Sequence, residues 1–120
     1  MREFYRTVLC SAGYEVGAGE DGTDALRRLE HWSPDVIVLD LQLRQMRGRD
    51  LRHELHANRE GRHIPIVVVS GTDTSDLNAA DFAAVLQKPL DPNTLINAID
   101  SAVRVRRGAV PSSLLVVCRE

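Results

Sequence analysis

Apolar residues recur along this chain of 120 residues in two different rhythms. Near the start, Phe4, Tyr5, Val8, Leu9 and Ala12 fall at helical spacing and Gly13 stops them, which predicts an amphipathic helix over 2–12. A short strand is expected from Tyr14 to about Gly19. Gly22-Thr23-Asp24 then opens a second helix, with Thr23 as its N-cap and Ala25, Leu26 and Leu29 on one face. The rhythm changes at Val36-Ile37-Val38-Leu39, where four apolar residues run unbroken between Ser33-Pro34-Asp35 and Asp40. The run from Ile64 to Ser70 repeats this, its Pro65 at the strand's start, where a missing N–H is tolerated. Unbroken runs of this length predict strands covered on both faces, as in a parallel sheet.

The rest of the chain fits between and after these two strands. A polar helix is expected over 49–58 with Leu51 and Leu55 inward, a short one over 73–79, and a third short strand over 83–87, closed by Lys88-Pro89. From Pro92 to about Arg106 runs a strong helix with Leu95, Ile96, Ile99, Ala102 and Val103 inward. Strands alternating with helices of this length predict an α/β parallel sheet with right-handed crossovers. The end breaks the alternation. After a loop over 108–113, Leu114-Leu115-Val116-Val117-Cys118 gives another buried-strand signal with no helix behind it. The expected organisation is a single domain over 1–120, with a core over 1–107, that loop, and a C-terminal strand segment over 114–120.

Composition narrows the function classes. The hydrophobic fraction of 43% and charged fraction of 27% are those of an ordinary globular domain. A net charge of −2 gives no basic surface for nucleic acid or membrane. No run spans a bilayer and the start is not a signal peptide, so a cytoplasmic location is expected. Cys10 and Cys118 make no disulfide framework and read as free thiols.

Candidate chemistry sits at strand ends, where open parallel sheets place their sites. Asp40, Ser70 and Lys88 each close a predicted strand, so a parallel sheet sets them along one edge. A carboxylate, a hydroxyl and an ammonium together suit phosphoryl acceptance. The carboxylate attacks, and the cation and hydroxyl bind the oxygens of the transferred group. Other candidates are weaker. His53 and His56 share a helical face without a third ligand, and read as solvated. His31 and His63 read as loop or helix-end residues, Trp32 as a packing residue, and Arg104, Arg106 and Arg107 as complements to a helix dipole.

Over residues 2–106 the chain resembles the receiver domain of two-component response regulators. The segment from Asp40 to Gly48 resembles the family's phosphoacceptor and following loop, Ser70-Gly71 its hydroxyl residue and small neighbour, and Lys88-Pro89 its lysine and cis-proline. The resemblance implies a flavodoxin-like doubly wound fold, phosphorylation of Asp40 by a histidine kinase or phosphotransfer protein, and contacts from Ser70 and Lys88. It also implies a Mg²⁺ ion held by an acidic pair after the family's first strand. That strand is lacking at the start of this chain. Segment 114–118 resembles it, with Cys118-Arg119 in the place of the acidic pair and Glu120 next. The remaining metal ligands would be Asp40, the backbone carbonyl of Gln42 and Glu120.

Two further expectations follow. Segment 114–118 fills the central first-strand position in a circularly permuted arrangement, parallel to 36–39, within one chain or by strand exchange in a homodimer. The switch is altered, since Arg44 replaces a proline usual in the loop and Val85 stands where the family often has an aromatic. The alternative function is a degenerate receiver acting as a phosphorylation-independent interaction or dimerisation module. A flavodoxin-like cofactor binder would need a phosphate-cradling loop rich in Ser, Thr and Gly, which the chain lacks.

Overall fold

The computed structural model describes residues 2–19, 22–41, 64–71, 82–107 and 113–117. The first helix, α1, spans Arg2–Ser11 and buries Tyr5 and Leu9, one turn apart. It ends where Gly13 takes a φ of 97°. The Gly13 N–H donates to the Cys10 carbonyl at 3.0 Å and the Tyr14 N–H to the Leu9 carbonyl at 3.1 Å. These are the two bonds of a Schellman cap, with Leu9 and Tyr14 sharing one apolar cluster.

Strand β1 (Glu15–Gly19) leads to helix α2 (Gly22–Leu29). Because α2 already begins at Gly22, Thr23 lies inside its first turn and is not the N-cap expected from sequence. Strands β2 (Val36–Leu41), β3 (Ile66–Ser70) and β4 (Ala84–Gln87) follow, then helix α3 (Pro92–Arg107) and strand β5 (Ser113–Val117). Asp91 caps α3. Its side chain accepts the Asn93 N–H at 3.0 Å, with Pro92 at the first helical position. The helices expected over 49–58 and 73–79, with His53, His56 and His63, lie outside the described residues.

The five strands form one parallel sheet in the order β1-β5-β2-β3-β4. Side chains alternate across it, as the pleat demands. Val36, Val38, Val67, Val69, Leu114 and Val116 face one cluster with Tyr5, Leu9, Leu95 and Ile99 of α1 and α3. Ile37, Leu39, Ile66, Val68, Leu115 and Val117 face the other, with Ala25 and Leu29 of α2. Trp32 packs on this second face, as expected of a packing residue, so close to Gly17 that a Cβ there would fall 2.6 Å from its ring.

β5 is paired parallel on both sides, to β1 from Glu15↔Ser113 to Gly19↔Val117 and to β2 from Val36↔Leu114 to Leu39↔Val117. The expectation of a circular permutation is corrected. Sheet order records which strands hydrogen-bond, and the order found here does not indicate a permuted chain. What it establishes is a fifth strand seated next to the edge strand β1, not the taking over of a first strand's place. Asp35 fixes where β5 begins. Its N–H donates to the Ser113 carbonyl at 2.9 Å, and its carboxylate accepts the Ser113 N–H at 3.2 Å.

Candidate functional site

Strand alternation determines where Asp40 points. It shares the phase of Val36 and Val38, so its carboxylate belongs to the face that α1 covers. Asp40 is 1% exposed. A buried carboxylate is tolerable only with donors on it, and two side chains supply them. Lys88 Nζ stands 2.9 Å from Oδ1 in a salt bridge, and the Tyr5 hydroxyl donates to Oδ2 at 2.7 Å. Asp40 and Tyr5 also have interactions beyond these two.

Lys88 reaches the site because β4 ends one residue before it, on the rim where β2 also ends. Its N–H donates to the Ser70 carbonyl at 2.9 Å, and Gly71 lies beside its aliphatic stem. The Lys88-Pro89 peptide is cis, as expected. Ser70 is buried and pairs with Leu41 in register, one step beyond the pairing of Asp40 with Val69. Of the three residues singled out from sequence, Asp40 and Lys88 are thus in direct contact, and Ser70 adjoins them through its main chain. Val85 is half-buried against the α2 face. Cys10 is an exposed free thiol on α1, and His31 an exposed residue just past α2.

Sequence reasoning placed Tyr5 among the apolar positions of α1 and missed its hydroxyl. The available signal was a phenol in a position where Leu or Phe would fill the same space, since a buried tyrosine needs a partner for its polar end.

Gln42, Cys118, Arg119 and Glu120 lie outside the described residues. Among those described, no group of three His, Cys, Asp or Glu side chains gathers to hold a metal ion. With an ammonium on Oδ1 and a phenol on Oδ2, the described residues alone do not make a divalent-cation site. An open cleft of about 570 Å³ lies elsewhere, against β1 and α2, lined by residues including Gly17, Arg28 and Trp32.

The response regulator receiver domain model matches residues 1–100. The chain belongs to that family. It is 27% identical over 103 residues to the polar-differentiation response regulator DivK of Brucella ovis, covering 82% of this chain and 84% of that protein. Its fold is similar to that of a sensor protein from Polaromonas sp. JS666, with a TM-score of 0.76, 23% identity and 86% of each chain covered. It is similar, too, to the receiver domain of the sensor histidine kinase PA1611 from Pseudomonas aeruginosa PAO1, solved with a magnesium ion coordinated in its active-site cleft. There the TM-score is 0.74 at 24% identity, over 85% of this chain and 87% of that one. As a receiver domain of two-component signalling, distantly related to DivK, this chain is a phosphoryl-accepting domain whose class of partner is a histidine kinase. Receiver domains typically bind Mg²⁺. Among the described residues, no helix is long and apolar enough to cross a membrane.

Proposed function

We propose that Asp40 is the phosphoacceptor of this receiver domain, with Lys88 and Ser70 as the groups that contact the transferred phosphoryl. The observation that carries this reading is the 2.9 Å contact between Lys88 Nζ and the buried Asp40 Oδ1. A carboxylate oxygen of Asp40 attacks the phosphorus of a phosphohistidine on the kinase or phosphotransfer protein. The P–N bond breaks, its electron pair leaves with the imidazole, and an acyl phosphate remains. Charge accumulates on the phosphoryl oxygens, and the Lys88 ammonium, already beside the carboxylate, is placed to follow and neutralise it. The Ser70 hydroxyl supplies a neutral donor at the same rim. Any Mg²⁺ bound here would draw on Asp40, the Gln42 carbonyl and Glu120, and would add positive charge beside the carboxylate. The setting is cytoplasmic. β5 can come from the same chain or, in a homodimer, by exchange with a second copy.

The test is exposure of wild type and Asp40→Asn to acetyl phosphate with Mg²⁺, followed by intact mass. Wild type gains one phosphoryl group and the variant gains none. Equal gain in both would place the acceptor elsewhere. A second reading, a phosphorylation-independent interaction module, is favoured by the engagement of both Asp40 oxygens. It predicts no gain in either protein and no change on adding beryllofluoride.

A further inference from the structure

The two donors on Asp40 differ in kind. Lys88 brings a full charge, one fifth of its side chain exposed, on a flexible stem. Tyr5 brings a neutral hydroxyl on a ring with no exposed surface, packed edge-to-face on Phe4 with centroids 5.6 Å apart. When one carboxylate oxygen becomes the bridging oxygen of an acyl phosphate, the negative charge moves out onto the phosphoryl group. An ammonium on a flexible stem can follow it. When Oδ2 is the oxygen that bonds, a phenol on a buried ring is left facing an ester-type oxygen, a far poorer acceptor than a carboxylate. The Tyr5 hydrogen bond is therefore worth more before the reaction than during it, and an interaction stronger in the ground state than in the transition state slows the step.

We infer that Tyr5 is a gate on the phosphoacceptor: its hydroxyl holds Asp40 Oδ2 in the resting domain and must release that oxygen before it can attack phosphorus. This rests on Asp40 being the acceptor. With acetyl phosphate as donor, Oδ2 bonds to phosphorus, the P–O bond to the acetyl group breaks, and acetate leaves with the electron pair. Tyr5 keeps its proton, its hydroxyl turning off Oδ2 while the buried ring stays in place.

Tyr5→Phe removes the hydroxyl and keeps the ring, so the core stays filled. Wild type, Tyr5→Phe and the double variant Tyr5→Phe/Asp40→Asn are incubated with acetyl phosphate and Mg²⁺, and phosphorylation is timed by intact mass. Since hydrogen bonds to charged groups are the stronger class, Tyr5→Phe should react roughly tenfold faster or more, and the double variant not at all. An equal or slower rate in Tyr5→Phe overturns the gate and leaves Asp40 as acceptor. No phosphorylation and no beryllofluoride binding in either reactive-site-intact protein overturns both. A second measurement needs no variant. In protein carrying 3-fluorotyrosine at its two tyrosines, Tyr5 and Tyr14, beryllofluoride should shift the Tyr5 fluorine resonance and leave that of Tyr14 in place. An unmoved Tyr5 resonance under saturating beryllofluoride overturns the gate.

Discussion

Two buried carboxylates stand at opposite ends of one strand. Asp35 precedes β2 and Asp40 lies near its end, and their exposures of 6% and 1% are nearly the same. Their described donors are not. Asp35 accepts from the Ser113 N–H and, at 3.4 Å, from the Ser113 hydroxyl, both belonging to the first residue of the neighbouring strand. Asp40 accepts from two side chains that arrive from sequence positions 35 and 48 residues away. A carboxylate tied to a neighbouring main chain holds a register. One tied to side chains from separate elements can change partners while the sheet stays intact. Residue type and burial alone would not tell the two apart; the origin of the donors does.

The largest expected effect separates their chemistry. Asp40→Asn abolishes uptake of a phosphoryl group from acetyl phosphate, whereas Asp35→Asn, if folded, retains it; equal loss in both would erase the distinction. Next comes stability at the Asp40 end. Lys88→Ala leaves a buried carboxylate without its cation and should cost about 3 kcal/mol in chemical denaturation. Adding Asp40→Asn to that variant should restore most of the loss, because the stranded charge is gone. At the other end, Asp35→Ala orphans the Ser113 N–H and should cost about 2 kcal/mol. Hydrogen exchange should then speed up at the amides of β5 more than at those of β3.

The smallest effect concerns a third polar pair, away from both. The Tyr14 hydroxyl donates to Asp100 of α3. Burial first, then the hydrogen bond and the charge of Asp100, push the Tyr14 phenol well above its ordinary value of about 10. The fold thus favours the neutral phenol. Its contribution is complete at lower pH and is lost as the pH climbs beyond about 10. Tyr14→Phe should make stability fall less steeply across that alkaline range than wild type, by about 1 kcal/mol; parallel curves would count against it.

The sheet was readable from sequence wherever continuous apolar runs marked its interior, at 36–39, 66–69 and 114–117. Both faces of those strands are covered, so every position had to be apolar. The rim was readable from polar residues at the strand ends: Asp40 breaks the apolar run of β2, and Lys88 follows the last residue of β4. Tyr5 and Asp35 were not, because a helical period or a strand boundary reports which positions are buried and says nothing of which atom will meet them across the chain. Thr23 misled because a capping-type side chain near a helix start fits the first turn as well as the cap. The permutation overreached by turning a strand's neighbours into a statement about chain order.

One consequence follows from where β5 sits. In the sheet, β1 bonds to β5 alone, and that contact joins Glu15 to Ser113. Among the described strands, β1 therefore has no partner edge until nearly a hundred further residues have been made, although α1 before it can already pack on β2. Closing so wide a loop comes with an entropic penalty and slows folding. During synthesis, β1 waits for β5.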